Sequence, residues 1–194
     1  NNEPAETRDS IDTEKVKKFF ETLEKARGKK LLICIKGYPD PDNIGTSLAL
    51  QWFGRHFEIE SKIIHFEEIS HHENRALVKK LDIELEEYYS EIDLSSYDYY
   101  AINDSQTAEI GIKLPDSCKL LFFIDHHKAL GTIESEFIDI RENAGSTSAI
   151  YIEYLMNGPY DFASGKSDDT KIATALMHGI RSDTDNFVNA TPID

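Results

Sequence analysis

Apolar residues along this chain recur in two alternating rhythms. Val16, Phe19, Phe20 and Leu23 fall at helical spacing, with Ser10, Asp12 or Thr13 as candidate caps and Gly28 as the stop. Residues 31–35 then form an unbroken apolar run of strand length, as expected for a strand buried on both faces of a parallel sheet. A turn rich in Pro and Asp (37–43) leads into an amphipathic helix marked by Ile44, Leu48, Ala49, Trp52 and Phe53. Further strands are predicted over 62–66, 97–102 and 120–124, with a weaker helix over 71–81 whose apolar face is Ala76, Leu77 and Leu81. Phe137–Ile140 reads as a short edge strand. Helices over 146–156 and 168–180 close the pattern, the second capped by Ser167, with 158–167 as the loop between them.

Strands alternating with helices predict an α/β doubly wound fold, a mostly parallel sheet flanked by helices. The domain is expected to span 30–194, preceded by an N-terminal helical segment, 1–29. No second domain, internal repeat or glycine-rich nucleotide-binding motif is visible. The sequence stops soon after a motif-like segment, which implies a longer protein.

Composition narrows the function. Forty per cent of the 194 residues are apolar, with six Pro and ten Gly, enough for a real core. No run approaches the ~20 apolar residues of a membrane span, and the polar, acidic segment 1–10 resembles no leader. Cys34 and Cys118 each sit in an apolar run, so they read as buried thiols in a reducing cytoplasm rather than a disulfide. Thirty-six acids against 21 bases give a net charge of −15, which disfavours a broad nucleic-acid groove. A small phosphorylated substrate remains compatible if cations neutralise an acidic pocket.

The chemistry follows the strands. Asp40 and Asp42 come after the first, Asp104 directly after the third, and Asp125, His126 and His127 directly after the fourth. In open α/β sheets the ligand crevice lies beyond the carboxyl ends of the strands. Carboxylates gathered there repel one another unless a divalent cation joins them. Each piece also has a plain reading. Asp40 and Asp42 suit a turn or a helix cap, Asp104 a loop, and Ser146 or Thr147 an N-cap rather than part of a phosphate-binding helix start. Asp183 alone reads as a loop aspartate. Recurrence at three strand ends favours the functional reading.

The stretch Pro39-Asp40-Pro41-Asp42-Asn43-Ile44-Gly45-Thr46-Ser47 resembles the first motif of the DHH phosphoesterases, which include RecJ-like nucleases, oligoribonucleases and nucleoside-bisphosphate phosphatases. Asp104 falls where their second motif has an aspartate, Asp125-His126-His127 matches the motif that names the family, and Gly179-Ile180-Arg181-Ser182-Asp183-Thr184 resembles the fourth. The segment 143–148 also resembles a family segment.

That resemblance implies two ions, Mn²⁺ or Mg²⁺. Asp40 would bind the first and Asp42 the second, Asp104 would bridge them, and His126 and Asp183 would complete the ligand set of the second ion. His127 would contact a phosphoryl oxygen, with Asp125 orienting a histidine. Two such ions about 3.5–4 Å apart would activate a water for phosphoester hydrolysis, with a small nucleotide or short oligonucleotide as substrate. One position departs from the pattern. Lys36 stands where many members carry a metal-binding histidine, and an ammonium cannot ligate a cation. The first site is therefore weakened, lost, or replaced by a lysine charge facing phosphate. The alternative reading is a catalytically weak metal- or nucleotide-binding regulatory module.

Overall fold

The computed structural model describes residues 11–162 and 166–194. The Ser10 cap candidate, the rest of segment 1–10 and part of the 158–167 loop lie outside the described residues. In chain order the elements are α1 (Thr13–Lys25), β1 (Lys30–Ile35), α2 (Pro41–His56), β2 (Glu60–His65), α3 (His72–Lys80) and β3 (Glu86–Glu87). There follow β4 (Tyr99–Asn103), β5 (Lys119–Asp125), β6 (Phe137–Ile140), α4 (Thr147–Asn157) and α5 (Ser167–Asp183).

The six strands form one sheet in the order β3-β2-β1-β4-β5-β6, with every pairing parallel. This is the doubly wound α/β arrangement. The chain steps outward from β1 to β3, then returns and steps outward again from β4 to β6. Right-handed crossovers place the two series of connections on opposite faces of the sheet. The reversal falls between β1 and β4, and a crevice opens at that switch point.

The helices gather over one face. Leu31, Ile33 and Ile35 of β1 point into the main core with α1, α2, α4 and α5, whereas Leu32 and Cys34 point into a smaller one. No helical residue among those described enters the smaller core. Connecting segments close it instead, through residues such as Ile92, Leu94, Tyr97, Ile110 and Leu114. The anchor of the main core is Phe19 of α1, fully buried, stacked on Tyr154 at 4.2 Å and edge-on to Phe53 at 5.1 Å. The helix carrying it starts at Asp12, whose side chain accepts from the Lys15 N–H.

Several boundaries differ from the pattern's prediction. The Pro-Asp turn is already helix, because Asp40 caps α2 in a reciprocal box with Asn43 and Pro41 occupies the first helical position. The acidic run 82–93, which has no apolar period, contributes the two-residue edge strand β3. Lys166 is the N-cap of α5, without a side-chain bond, in place of Ser167. Cys34 and Cys118 are free and buried, and burial raises both thiols above their ordinary range. Among the described residues no helix is long and apolar enough to cross a membrane.

Candidate metal centre

Four elements deliver side chains to the edge at the β1/β4 switch point. Asp42 lies in the first turn of α2 and is fully buried. Its Oδ2 accepts from the Thr147 N–H and its Oδ1 from the Ser148 N–H, both at 2.8 Å. These donors open α4, so the positive end of that helix faces a carboxylate. Asp104 follows β4 at φ 55°, a left-handed conformation that Asp tolerates better than most residues. Its N–H donates to the Ile124 carbonyl at 2.9 Å, and its Oδ1 accepts from the Thr147 hydroxyl at 3.0 Å. One residue, Thr147, therefore clamps both acids.

His126 Nδ1 lies 3.2 Å from the Ala144 carbonyl. A carbonyl only accepts, so Nδ1 carries a proton, and in the neutral ring Nε2 holds the lone pair. Nε2 stands 3.1 Å from Asp183 Oδ2 and 3.6 Å from Asp104 Oδ1. It is buried with no hydrogen-bond partner. Donor atoms of Asp42, Asp104, His126 and Asp183 all lie within 4.8 Å of one another, and Asp104, His126 and His127 form an overlapping set. Beside them, His127 Nδ1 donates to Oδ1 of the fully buried Asp125 at 2.8 Å.

Electrostatics shows what the cluster lacks. Burial, then the nearby Asp183, pushes the Asp42 carboxyl up to about 7. Burial and the charges of Asp42, Asp40 and Asp183 hold Asp104 well above the usual carboxylate range. Asp40 is also raised, mainly by burial. Burial alone would depress His126, but Asp183 and Asp42 outweigh it and the net shift is upward. So many acids in one buried edge cannot ionise together without a cation. Three carboxylates around a bare imidazole nitrogen form a hard donor set suited to a divalent metal, and the partnerless Nε2 is aimed at the point where one would sit.

Other predicted residues stand apart. Asp40 lies outside the compact donor set, and its Oδ1 caps α2 by accepting from the Asp42 and Asn43 N–H groups, both at 3.0 Å. Lys36 turns to the next loop, where its Nζ donates to the Thr107 carbonyl at 3.2 Å and to the Thr107 hydroxyl. Burial pulls its pKa down, and the charge of Glu109 opposes that pull. Ser146 is the N-cap of α4, its hydroxyl accepting from the Ala149 N–H. The α4 N–H groups expected to meet a phosphate are occupied by Asp42, an anion fixed in place by the fold. Asp183 is the last residue of α5 rather than a loop residue.

The periodicity gave no sign of Ala144, Ser148 or Gly179 as parts of the site. Gly179 sits inside α5, where a Cβ would fall 2.8 Å from Asp42 Oδ1 and 3.0 Å from its Cα. Its absent side chain lets α5 close on the site. A glycine inside a helix costs about 1 kcal/mol relative to Ala, and that cost, with its place at the head of the motif-like segment 179–184, was the available signal.

No protein-family model matches the chain. An uncharacterised protein of Methanocaldococcus jannaschii is 34% identical over 173 residues, which is 89% of this chain but 34% of that protein. The chain thus spans about a third of that curated relative's length. Among solved structures, an exopolyphosphatase-related protein of Bacteroides fragilis superposes with a TM-score of 0.67. It has 21% identity and covers 92% of this chain and 52% of that one. These two chains share a fold. A putative family II inorganic pyrophosphatase of Methanococcus jannaschii superposes with a TM-score of 0.63 and 21% identity, over 84% of this chain and 52% of its own.

Proposed function

We propose that this protein is a metal-dependent hydrolase of phosphoester bonds in a small phosphorylated compound, a nucleotide or short oligonucleotide. One observation carries this reading: His126 Nε2, buried and partnerless, converges with the carboxylates of Asp42, Asp104 and Asp183. The two solved neighbours support it, one described as exopolyphosphatase-related and the other as a putative inorganic pyrophosphatase.

Asp42, Asp104, His126 and Asp183 would hold the ion, Mn²⁺ or Mg²⁺. When bound, it would polarise a phosphoryl oxygen and acidify a water. The remaining groups act through position. The Ala144 carbonyl fixes the His126 tautomer, and the start of α4 keeps both Asp42 oxygens in place. Asp125 holds the His127 ring in place through its Nδ1–H. Nε2 of this half-exposed ring faces away from Asp125, and with a proton on it would donate to a phosphoryl oxygen or to a departing alkoxide. Asp40, with Asp104, would serve a second and weaker ion, and Lys36 would add positive charge at the rim.

The test is Mn²⁺-stimulated hydrolysis of bis(p-nitrophenyl) phosphate. We expect turnover in the parent and a fall of about a hundredfold or more in His127→Ala, with metal affinity nearly intact. A parent that binds Mn²⁺ yet shows no turnover on any phosphoester would overturn the reading. It would favour instead a catalytically weak metal- or nucleotide-binding module. The engagement of Asp40 as a helix cap is the observation that favours that second reading.

A further inference from the structure

A second cluster of buried charge joins the end of β6 to α4. Asp139 and Arg141 are two residues apart, so their side chains leave the strand on one face. Arg141 donates to the Asp139 carboxylate through Nε at 3.1 Å and through Nη2 at 2.8 Å. The same Nη2 stands 2.9 Å from Glu153 Oε1 on α4, and the Tyr154 hydroxyl donates to Asp139 at 2.5 Å. None of these four residues belongs to the metal donor set. The backbone of Arg141 does reach that set. Its N–H donates to the Asp125 carbonyl and its own carbonyl accepts from the Ala144 N–H, both at 3.0 Å. Asp125 directly precedes His126, and the Ala144 carbonyl is the one that holds His126 Nδ1. Three residues after Ala144, α4 begins with the N–H groups that grip Asp42.

We propose that Arg141 is a positioning residue for the metal centre. Gripped by Asp139 and Glu153, it locks the turn 141–144, so that the Ala144 carbonyl keeps His126 in one tautomer and the start of α4 meets Asp42. Desolvation offsets most of the attraction in a buried ion pair, so net stability is a poor reason for three charges here. A planar guanidinium held at three oxygens does fix direction. It ties the turn before α4 to a residue in the body of α4, and through the Asp125 carbonyl to the end of β5. The effect on a bound ion rests on the function proposed above; the effect on the His126 ring does not.

The test reads the ring and the ion separately. In metal-free protein, at a pH where the ring is neutral, long-range ¹H–¹⁵N spectra should show His126 as its Nδ1–H tautomer in the parent. Arg141→Lys keeps the charge and loses the fork, and should let the Nε2–H tautomer appear. Calorimetry at pH 7.5 should show Mn²⁺ bound about tenfold more weakly, the usual scale for losing a group that orients a ligand. Glu153→Gln should move both readouts the same way, with Kd raised about threefold. Val16→Ala, a truncation in the main core on α1, controls for general loss of stability and should move neither. Either readout left unchanged in Arg141→Lys, or moved as far in Val16→Ala, would overturn the inference. If Arg141→Lys does not fold, Glu153→Gln decides by the same two readouts. If the parent binds no Mn²⁺, the function proposed above fails and the tautomer alone decides. A mixed tautomer in the variants then supports the positioning role, and an unchanged ring overturns it.

Discussion

Asp40 and Asp42 are two residues apart, yet they are held by different elements. Asp42 is gripped from outside its own helix by the first N–H groups of α4, and its pKa rises because burial dries it and the charges of Asp183 and Asp40 crowd it. Asp40 is held by its own helix, as the N-cap that starts α2. The side of the site built by α2, α4, α5 and the ends of β4 and β5 is therefore a compact donor set shaped by tertiary packing. The side of Asp40 and Lys36 is built from local turn chemistry, and its lysine is tied to Thr107. Asp42 is held for its neighbours on other elements, whereas Asp40 already has N–H partners in its own helix although burial raises it too.

Closing α5 on α2 is what makes the first side compact, so Gly179→Ala should have the largest effect. The new methyl group meets Asp42 and Ser148. Overpacking of this kind typically costs about 1–3 kcal/mol, and here the displaced group is a metal donor. We expect a lower melting temperature together with loss of most Mn²⁺-induced stabilisation. A melting loss with the Mn²⁺ response intact would mean that Asp42 is dispensable to the ion.

pH sharpens the contrast next. Asp42, Asp104 and Asp40 have folded-state pKa values raised above their unfolded ones, and His126 is shifted in the same direction. Protons bound more tightly in the folded state stabilise it at low pH, and this contribution is lost as pH rises through the folded values. For Asp42 the window runs from about 4 to about 7. Metal-free protein should lose stability across it, while added Mn²⁺ stabilises more at pH 7.5 than at pH 5, where protons compete for the same ligands. Thermal melts at several pH values, with chelator and with Mn²⁺, check both slopes. A metal response independent of pH would place the ion elsewhere.

Lys36→His should have the smallest effect on the tight ion. It breaks the bonds to Thr107, which are worth about 1 kcal/mol, and supplies an imidazole four residues before Asp40 in the chain. We expect tight-site affinity to change by less than about threefold, an energy below 1 kcal/mol, while a second, weaker Mn²⁺ is gained. Loss of turnover without added metal would make Lys36 part of the chemistry rather than a substitute for a ligand.

Much of this was legible in the sequence, for physical reasons. A parallel strand buried on both faces must be apolar throughout, so Leu31 to Ile35 and Leu120 to Ile124 announce themselves. The polar residues that break those runs mark the sheet's carboxyl edge. That is why Asp40, Asp42, Asp104, Asp125, His126 and His127 stood out together as candidates along that edge. What stayed hidden depends on contacts distant in sequence. No periodicity reveals that Thr147 and Ser148 reach back 105 and 106 residues to Asp42, or that Ala144 sets the His126 tautomer. The two-residue β3 lacks any apolar pattern because it sits at an edge. The face covered by loops was equally hidden, since apolar residues spaced along irregular segments such as 108–114 carry no period.

The central claim is that the compact side holds a divalent cation and the Asp40 side does not govern it. Calorimetric titration of metal-free protein with Mn²⁺ at pH 7.5, run in parallel on the parent, His126→Ala and Asp40→Asn, tests it most directly. Asn caps helices about as well as Asp, so Asp40→Asn probes ligation with little cost to folding. The account predicts one tight ion in the parent, retained within about threefold in Asp40→Asn and lost in His126→Ala. No tight ion in the parent, or equal loss in the two variants, would contradict it.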